Sequence, residues 1–274
     1  MNLMKLLKLH WKKIVLIAFV IMIVSLIVVI WFKPRTVLSP IIPPTNKVSV
    51  KKVETKNQVV VEPEKKSIIK SNSVTVNFDK SKYSTTDSSS IWVVVNKQHP
   101  LIPIDYIPND LISTVGATIS SKAKIDFDLM NNAALAEGVN FTIVSSYRSY
   151  ATQSSIYNNY VASYGQATTD TFSARPGYSE HQTGLTIDFG SSSGAVCNLD
   201  DCFGSTNEGK WLASRSWEFG YILRYPSDKQ QITGYKSEPW HFRYIGRELS
   251  TEMKKLSITT LEEYFNISGG EIYI

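Results

Sequence analysis

Nineteen consecutive residues, Ile14 to Phe32, contain a single polar side chain, Ser25. At about 1.5 Å per residue, a helix of this length covers roughly the 30 Å hydrocarbon core of a bilayer. The apolar stretch of a cleaved secretory signal is shorter, roughly 7–15 residues, and ends at a small-residue cleavage site. Here the flank reads Trp31-Phe32-Lys33-Pro34-Arg35, an aromatic and basic interfacial pattern without such a site. The expectation is an uncleaved signal anchor. Lys5, Lys8, Lys12 and Lys13 precede it, against Lys33 and Arg35 just after. The more basic flank stays in the cytoplasm. Residues 1–13 are therefore expected to be cytoplasmic, 14–32 to cross the membrane, and the rest to lie outside it.

Charge divides along the same boundary. Of the net +5 carried by 274 residues, residues 1–35 hold +6 and 36–70 hold +4, which leaves −5 for 71–274. The basic balance belongs to the N-terminal quarter, so a nucleic-acid-binding domain is not expected. Five of the eleven prolines (Pro34, Pro40, Pro43, Pro44 and Pro63) punctuate the stretch after the span. Residues 33–75 therefore read as an extended extracytoplasmic linker, and 76–274 as one folded domain. Two cysteines cannot build a disulfide-rich scaffold or a four-cysteine metal site. Cys197 and Cys202 enclose four residues, and an oxidising exterior admits a local disulfide between them; two free thiols in a loop are the alternative.

Within the folded part, Ile91–Asn96 reads as a strand, followed by the proline-punctuated segment His99–Pro108. Ala123, Phe127, Met130, Ala133, Ala134 and Ala136 fall near one side of a helix over 121–137, with Gly138 placed to end it. Phe141–Val144 reads as a strand, and Ser149 as the cap of a helix to about Ser163. Leu185–Phe189 is another strand, 206–219 a helix stopped by Gly220, and Tyr221–Arg224 and His241–Ile245 two more strands. Helices are expected near 247–256 and 259–266. Helices and strands mix without regular βαβ alternation, which predicts an α+β fold with a small antiparallel sheet flanked by helices.

Two of the four histidines sit in polar, turn-rich contexts, His181 in Pro176–Asp188 and His241 in Ser237–Arg243. His181 precedes a glycine turn feeding a strand that ends at Asp188, and His241 opens the last strand. Two imidazoles and one carboxylate suit Zn²⁺ and leave a position for water. Glu238, held on an extended turn by Pro239, lies where a general base belongs. The spacing alone is only moderately specific. Two structural histidines and a surface glutamate remain the competing reading at this point.

Three segments occur in order: Ser145-Ser146-Tyr147-Arg148-Ser149, then Gly177 to Asp188 (Gly-Tyr-Ser-Glu-His-Gln-Thr-Gly-Leu-Thr-Ile-Asp), then Glu238-Pro239-Trp240-His241. Together they closely resemble the VanY-type D-alanyl-D-alanine carboxypeptidase family, bacterial zinc peptidases whose fold is related to the hedgehog domain. Asn96–Leu101 and Asp105–Pro108 are similar to its N-terminal portion, so the resemblance spans about residues 90–250. It implies one Zn²⁺ per chain held by His181, Asp188 and His241, with Glu238 as catalytic base and Arg148, Gln153 and Ser179 as substrate-binding residues. Arg148 offers a planar fork for a terminal carboxylate; a salt bridge to a core acid is its alternative. Trp240 and Tyr147 are candidates to line the pocket, and Arg175 and Glu180 carry no assigned role. Thr186 departs from the alanine usual at that position and is expected to face away from the site.

The function implied is a membrane-anchored D,D-carboxypeptidase that removes the terminal D-alanine from peptidoglycan stem peptides on the cell-wall side of a bacterial membrane, acting as a monomer. L,D-carboxypeptidase action on tetrapeptide stems is the alternative. A non-catalytic wall-binding module on the same fold would be free to lose the base, and a cross-link endopeptidase would give Arg148 no terminal carboxylate to bind.

Overall fold

The computed structural model describes residues 78–274. The cytoplasmic segment 1–13, the membrane span 14–32, the linker 33–75 and the domain boundary expected at residue 76 lie outside the described residues. Among the described residues, no helix is long and apolar enough to cross a membrane.

The described chain begins with irregular structure and a hairpin, β1 (Leu111–Thr114) and β2 (Ala117–Ser120), turning at Gly116 with φ +73°. Helix α1 (Ser121–Ala136) follows directly, and the Ser120 hydroxyl caps it by accepting from the Lys122 N–H. Its buried stripe is Ala123, Phe127, Met130 and Ala134, the spacing of one helical face. Ala136 falls outside the stripe and is exposed. Strand β3 (Phe141–Ser145) leads into α2 (Tyr150–Tyr164), capped by Ser149 as the sequence predicts. After β4 (Thr186–Ser191) come α3 (Asn207–Arg215), a 3₁₀ turn Ser216–Phe219, and β5 (Tyr221–Leu223). The single helix expected over 206–219 is thus two pieces, the second tightened before Gly220, whose φ of +80° ends it. Strand β6 (His241–Tyr244), α4 (Arg247–Leu256) and α5 (Leu261–Phe265) complete the order.

The main sheet runs β3-β4-β6-β5, with all neighbours antiparallel. Strand alternation gives it two unlike faces. Ile187, Phe189, Phe242 and Tyr244 pack with the α1 stripe and with Phe203, Trp211 and Leu212 in the main core. Burying side chains of this size is worth about 1.5–3 kcal/mol each, so this layer fixes the register. The opposite face carries Thr186, Asp188, His241 and Arg243, all buried. Thr186 therefore does not face away from the site: it shares the face of Asp188, two residues on, and pairs in register with Arg243.

Ile91–Asn96 joins no strand: Ile91 and Trp92 lie in a turn, Trp92–Asn96 are buried, and only Asn96 forms an isolated bridge, to His99. The Arg243 guanidinium takes the roles a neighbouring strand would fill. Its Nη2 donates to Val93 O at 2.8 Å and to Ile91 O at 3.2 Å, while Val94 N–H donates to Thr85 O at 2.9 Å. Trp92 and Val94 pack with Ile245, Leu249, Met253, Leu261 and Tyr264 in a second cluster under α4 and α5. Cys197 and Cys202 are disulfide-bonded, as the extracytoplasmic reading of the chain admits.

Candidate active site

The β4–β6 register sets Asp188 directly opposite His241. His181 arrives from a 3₁₀ turn, Glu180–Thr183, closed by Gly184. This glycine is required twice over. Its φ is +68°, and a Cβ there would stand 2.8 Å from Leu111 Cδ2 and 3.0 Å from the Ser120 N.

One donor atom each from His181, Asp188 and His241 lies within 4.8 Å of the others, and all three residues are buried. His181 Nδ1 sits 2.6 Å from Ser146 O. A carbonyl only accepts, so Nδ1 carries the proton and Nε2 presents its lone pair. That Nε2 is 3.1 Å from Asp188 Oδ2, and His241 Nδ1 is 3.2 Å from Asp188 Oδ1. The two separations run to different oxygens of Asp188, and both are of the size expected between donors that would share one ion at about 2.0–2.1 Å. Asp188 Oδ1, although buried, has no hydrogen-bond partner. Donor chemistry, spacing and the orphaned oxygen all fit a metal ion.

Glu238 Oε2 lies 3.2 Å from His241 Nδ1, on the same side as Asp188. Its turn is pinned by Glu238 N–H donating to Tyr225 O and His241 N–H donating to Glu238 O, both at 3.0 Å. Burial pushes the Glu238 carboxyl above the usual glutamate range, against the pull of the neighbouring His241. Burial also raises Asp188, but His181 and His241 outweigh it and hold that carboxyl well below its usual range. Burial and the Arg148 charge depress His181. His241 is lowered by burial but raised further by Asp188, Glu180 and Glu238, so its net shift is strongly upward.

Arg148 is held by neutral acceptors. Nη1 donates to Gln153 Oε1 at 2.7 Å and Nη2 to Ser145 Oγ at 2.9 Å; Asp188 Oδ2 is 3.6 Å from Nη2. The contact with a core acid is therefore long, and that acid is the one shared by both histidines. Gln153 Nε2 donates in turn to Ala174 O at 2.7 Å. Arg148, Gln153, Ser179, Glu238 and the three donors all line one cleft of about 890 Å³. Trp240 lines it as well, whereas Tyr147 does not. Arg175 pairs with Asp170 at 2.7 Å and stacks on Tyr273, away from the donors.

Sequence reasoning missed several parts of this cleft. Tyr225 packs its ring 4.7 Å from that of His241. The disulfide loop supplies Leu199, Asp200 and Asp201 to the cleft lining. Glu180, Arg224, Arg243 and Glu262 form a fully buried ion network behind the site. A sequence signal existed for the last of these: charged residues inside otherwise apolar strand and helix segments, at Arg224, Arg243 and Glu262.

A family model described as D-alanyl-D-alanine carboxypeptidase, VanY, matches residues 116–247. A protein of Bacillus subtilis (strain 168) named as a carboxypeptidase, YodJ, is 39% identical over 186 residues, which is 64% of this chain and 67% of its own. Among solved structures, the LdcB LD-carboxypeptidase aligns at 38% identity with a TM-score of 0.61, over 66% of this chain and 88% of that one. A mutant of the vancomycin-resistance D,D-pentapeptidase VanY from a VanB-type cassette, in complex with Zn(II), aligns at 32% identity and a TM-score of 0.56, over 66% of this chain and all of that one. With the fold, the donor set and these likenesses in agreement, the chain belongs to the VanY family of D-alanyl-D-alanine carboxypeptidases.

Proposed function

We propose that the protein is a zinc-dependent D,D-carboxypeptidase, anchored by residues 14–32, that removes the terminal D-alanine from peptidoglycan stem peptides on the cell-wall side of the membrane. The observation that carries this reading is the convergence of His181, Asp188, His241, Glu238 and Arg148 on one cleft. A zinc ion held by the first three supplies Lewis acidity, lowering the pKa of a water and polarising a carbonyl. Glu238, whose carboxyl burial pushes above the usual glutamate range, accepts the proton of the attacking water and returns it to the departing amine. Arg148 receives the free carboxylate of the leaving residue, oriented by Gln153 and Ser145. Ser179 lines the same cleft and adds a hydroxyl for the substrate backbone. A wall-binding module without catalysis would have no use for a half-buried glutamate beside a metal site.

A second reading, L,D-carboxypeptidase action on tetrapeptides, is favoured by the likeness to LdcB. Both reactions release the same D-alanine and present the same carboxylate to Arg148, so they differ only in the residue before the scissile bond. The test is mass analysis of products from pentapeptide and tetrapeptide stems offered together. Faster loss of one alanine from the pentapeptide supports the D,D reading. Preferential trimming of the tetrapeptide replaces it with the L,D one. No loss from either removes both.

A further inference from the structure

Behind the cleft, the side chains of Glu180, Arg224, Arg243 and Glu262 are at most 1% exposed and balance in charge, two anions against two cations. Glu180 Oε1 accepts from Arg224 Nε at 2.8 Å and from Arg243 Nη1 at 2.7 Å. Arg224 closes a fork on Glu262 at 2.9 and 2.7 Å, and Glu262 also accepts from Asn96 Nδ2 at 3.0 Å. Arg243 spends its remaining donors on the carbonyls of Ile91, Val93 and Tyr244. Nearly every polar atom of the network is thus satisfied. Glu180 Oε2 is not, and neither is His241 Nε2; both are buried without a hydrogen-bond partner. These two orphans face each other across 3.6 Å.

We propose that Glu180 is a positioning residue for His241: its Oε2 takes the Nε2–H of the imidazole and commits the Nδ1 lone pair to the metal side. The inference rests on the metal-site reading above. A neutral imidazole has one donor and one acceptor nitrogen, and a carboxylate can only accept. The Glu180 carboxylate therefore selects the Nε2-protonated tautomer and leaves Nδ1 free beside Asp188 and Glu238. A closure of about 0.7–0.9 Å from 3.6 Å brings the pair into charge-assisted hydrogen-bond range. His181 is fixed in the mirror sense, through Nδ1 and a backbone carbonyl. The site thus holds one histidine by the main chain and the other by a buried carboxylate. Because two arginines anchor Glu180, the aim of His241 depends on Asn96 at the start of the domain and on Glu262 near its end.

The test compares wild-type protein with Glu180→Gln for zinc affinity by chelator competition, alongside kcat and KM on a pentapeptide at saturating zinc. The expected result is a zinc dissociation constant weakened about 10- to 100-fold, with KM little changed once zinc saturates. Zinc affinity within about twofold of wild type in a folded variant overturns the proposal. Should the variant fail to fold, histidine-labelled wild-type protein decides the matter by nitrogen NMR in its zinc form. Nε2-protonated His241, with a proton protected from solvent exchange, supports the proposal; an unprotonated Nε2 overturns it. A wild-type protein that binds no zinc refutes the metal site itself, which is distinguishable from loss of affinity confined to the variant.

Discussion

Arg148 permits a double-mutant cycle between enzyme and substrate. The perturbations are Arg148→Ala in the protein and conversion of the peptide's terminal carboxylate to an amide. In the structure the guanidinium is about four-fifths buried and its orientation is set by Gln153 and Ser145, so it reaches a substrate without losing much further freedom. A hydrogen bond to a charged group is worth about 1.5–3 kcal/mol. Two such bonds, discounted because each Nη already has a neutral partner, give a coupling of about 3 kcal/mol, or roughly a hundredfold in kcat/KM. The assay is D-alanine or D-alaninamide release from matched peptides by both enzymes. Wild type should prefer the free acid by roughly that factor, and Arg148→Ala should lose the preference. Additive effects, with the same preference in the variant, would refute the carboxylate role and reopen an endopeptidase reading.

Three further outcomes follow from the site and its supports. Glu238 must be ionised to accept a proton and burial raises its pKa, so kcat/KM should climb with pH through a limb above the usual glutamate range of about 4.5; a limb at or below that value would contradict the assignment. Burial lowers the His241 pKa, but Asp188, Glu180 and Glu238 outweigh it and raise the group well above its ordinary value. A proton on this imidazole competes with zinc, so apparent zinc affinity should rise with pH, whereas flat affinity by competition titration would count against it. Gly184→Ala forces a side chain into a left-handed turn against the Ser120 amide. A cost of about 2 kcal/mol lowers Tm by roughly 4–8 °C, and an unchanged melting curve would refute the steric argument.

Turn chemistry and strand order made a meeting of His181, Asp188, His241 and Glu238 legible in the sequence, while their roles, and Arg148, Gln153 and Ser179, came from the family resemblance. A glycine after His181, an Asp on the strand it feeds, and a Glu-Pro-Trp-His turn opening the last strand suffice to suggest their meeting, and the β4–β6 register delivers it. The β1–β2 hairpin was not legible, since two four-residue strands offer too little alternation to register. Ile91–Asn96 has the composition of a strand, yet the partner its carbonyls found was the Arg243 side chain, a long-range choice that local pattern does not encode. Thr186 shows how parity decides a face: two residues from Asp188 on one strand, it must point with Asp188. The ion network escaped for a related reason. Its members, Asn96, Glu180, Arg224, Arg243 and Glu262, are spread over nearly the whole domain and meet only once the sheet has formed.

The central claim is that Glu238 performs proton transfer at a zinc site built by His181, Asp188 and His241. Its most direct test measures D-alanine release from pentapeptide stems together with bound zinc, in wild type and in Glu238→Gln. Wild type should carry one zinc per chain, lose activity to a chelator and regain it on zinc addition. Glu238→Gln should keep the zinc and lose about 10²–10⁴-fold in kcat. Chelator-resistant release of D-alanine, or a zinc-loaded Glu238→Gln variant as active as wild type, would contradict the account.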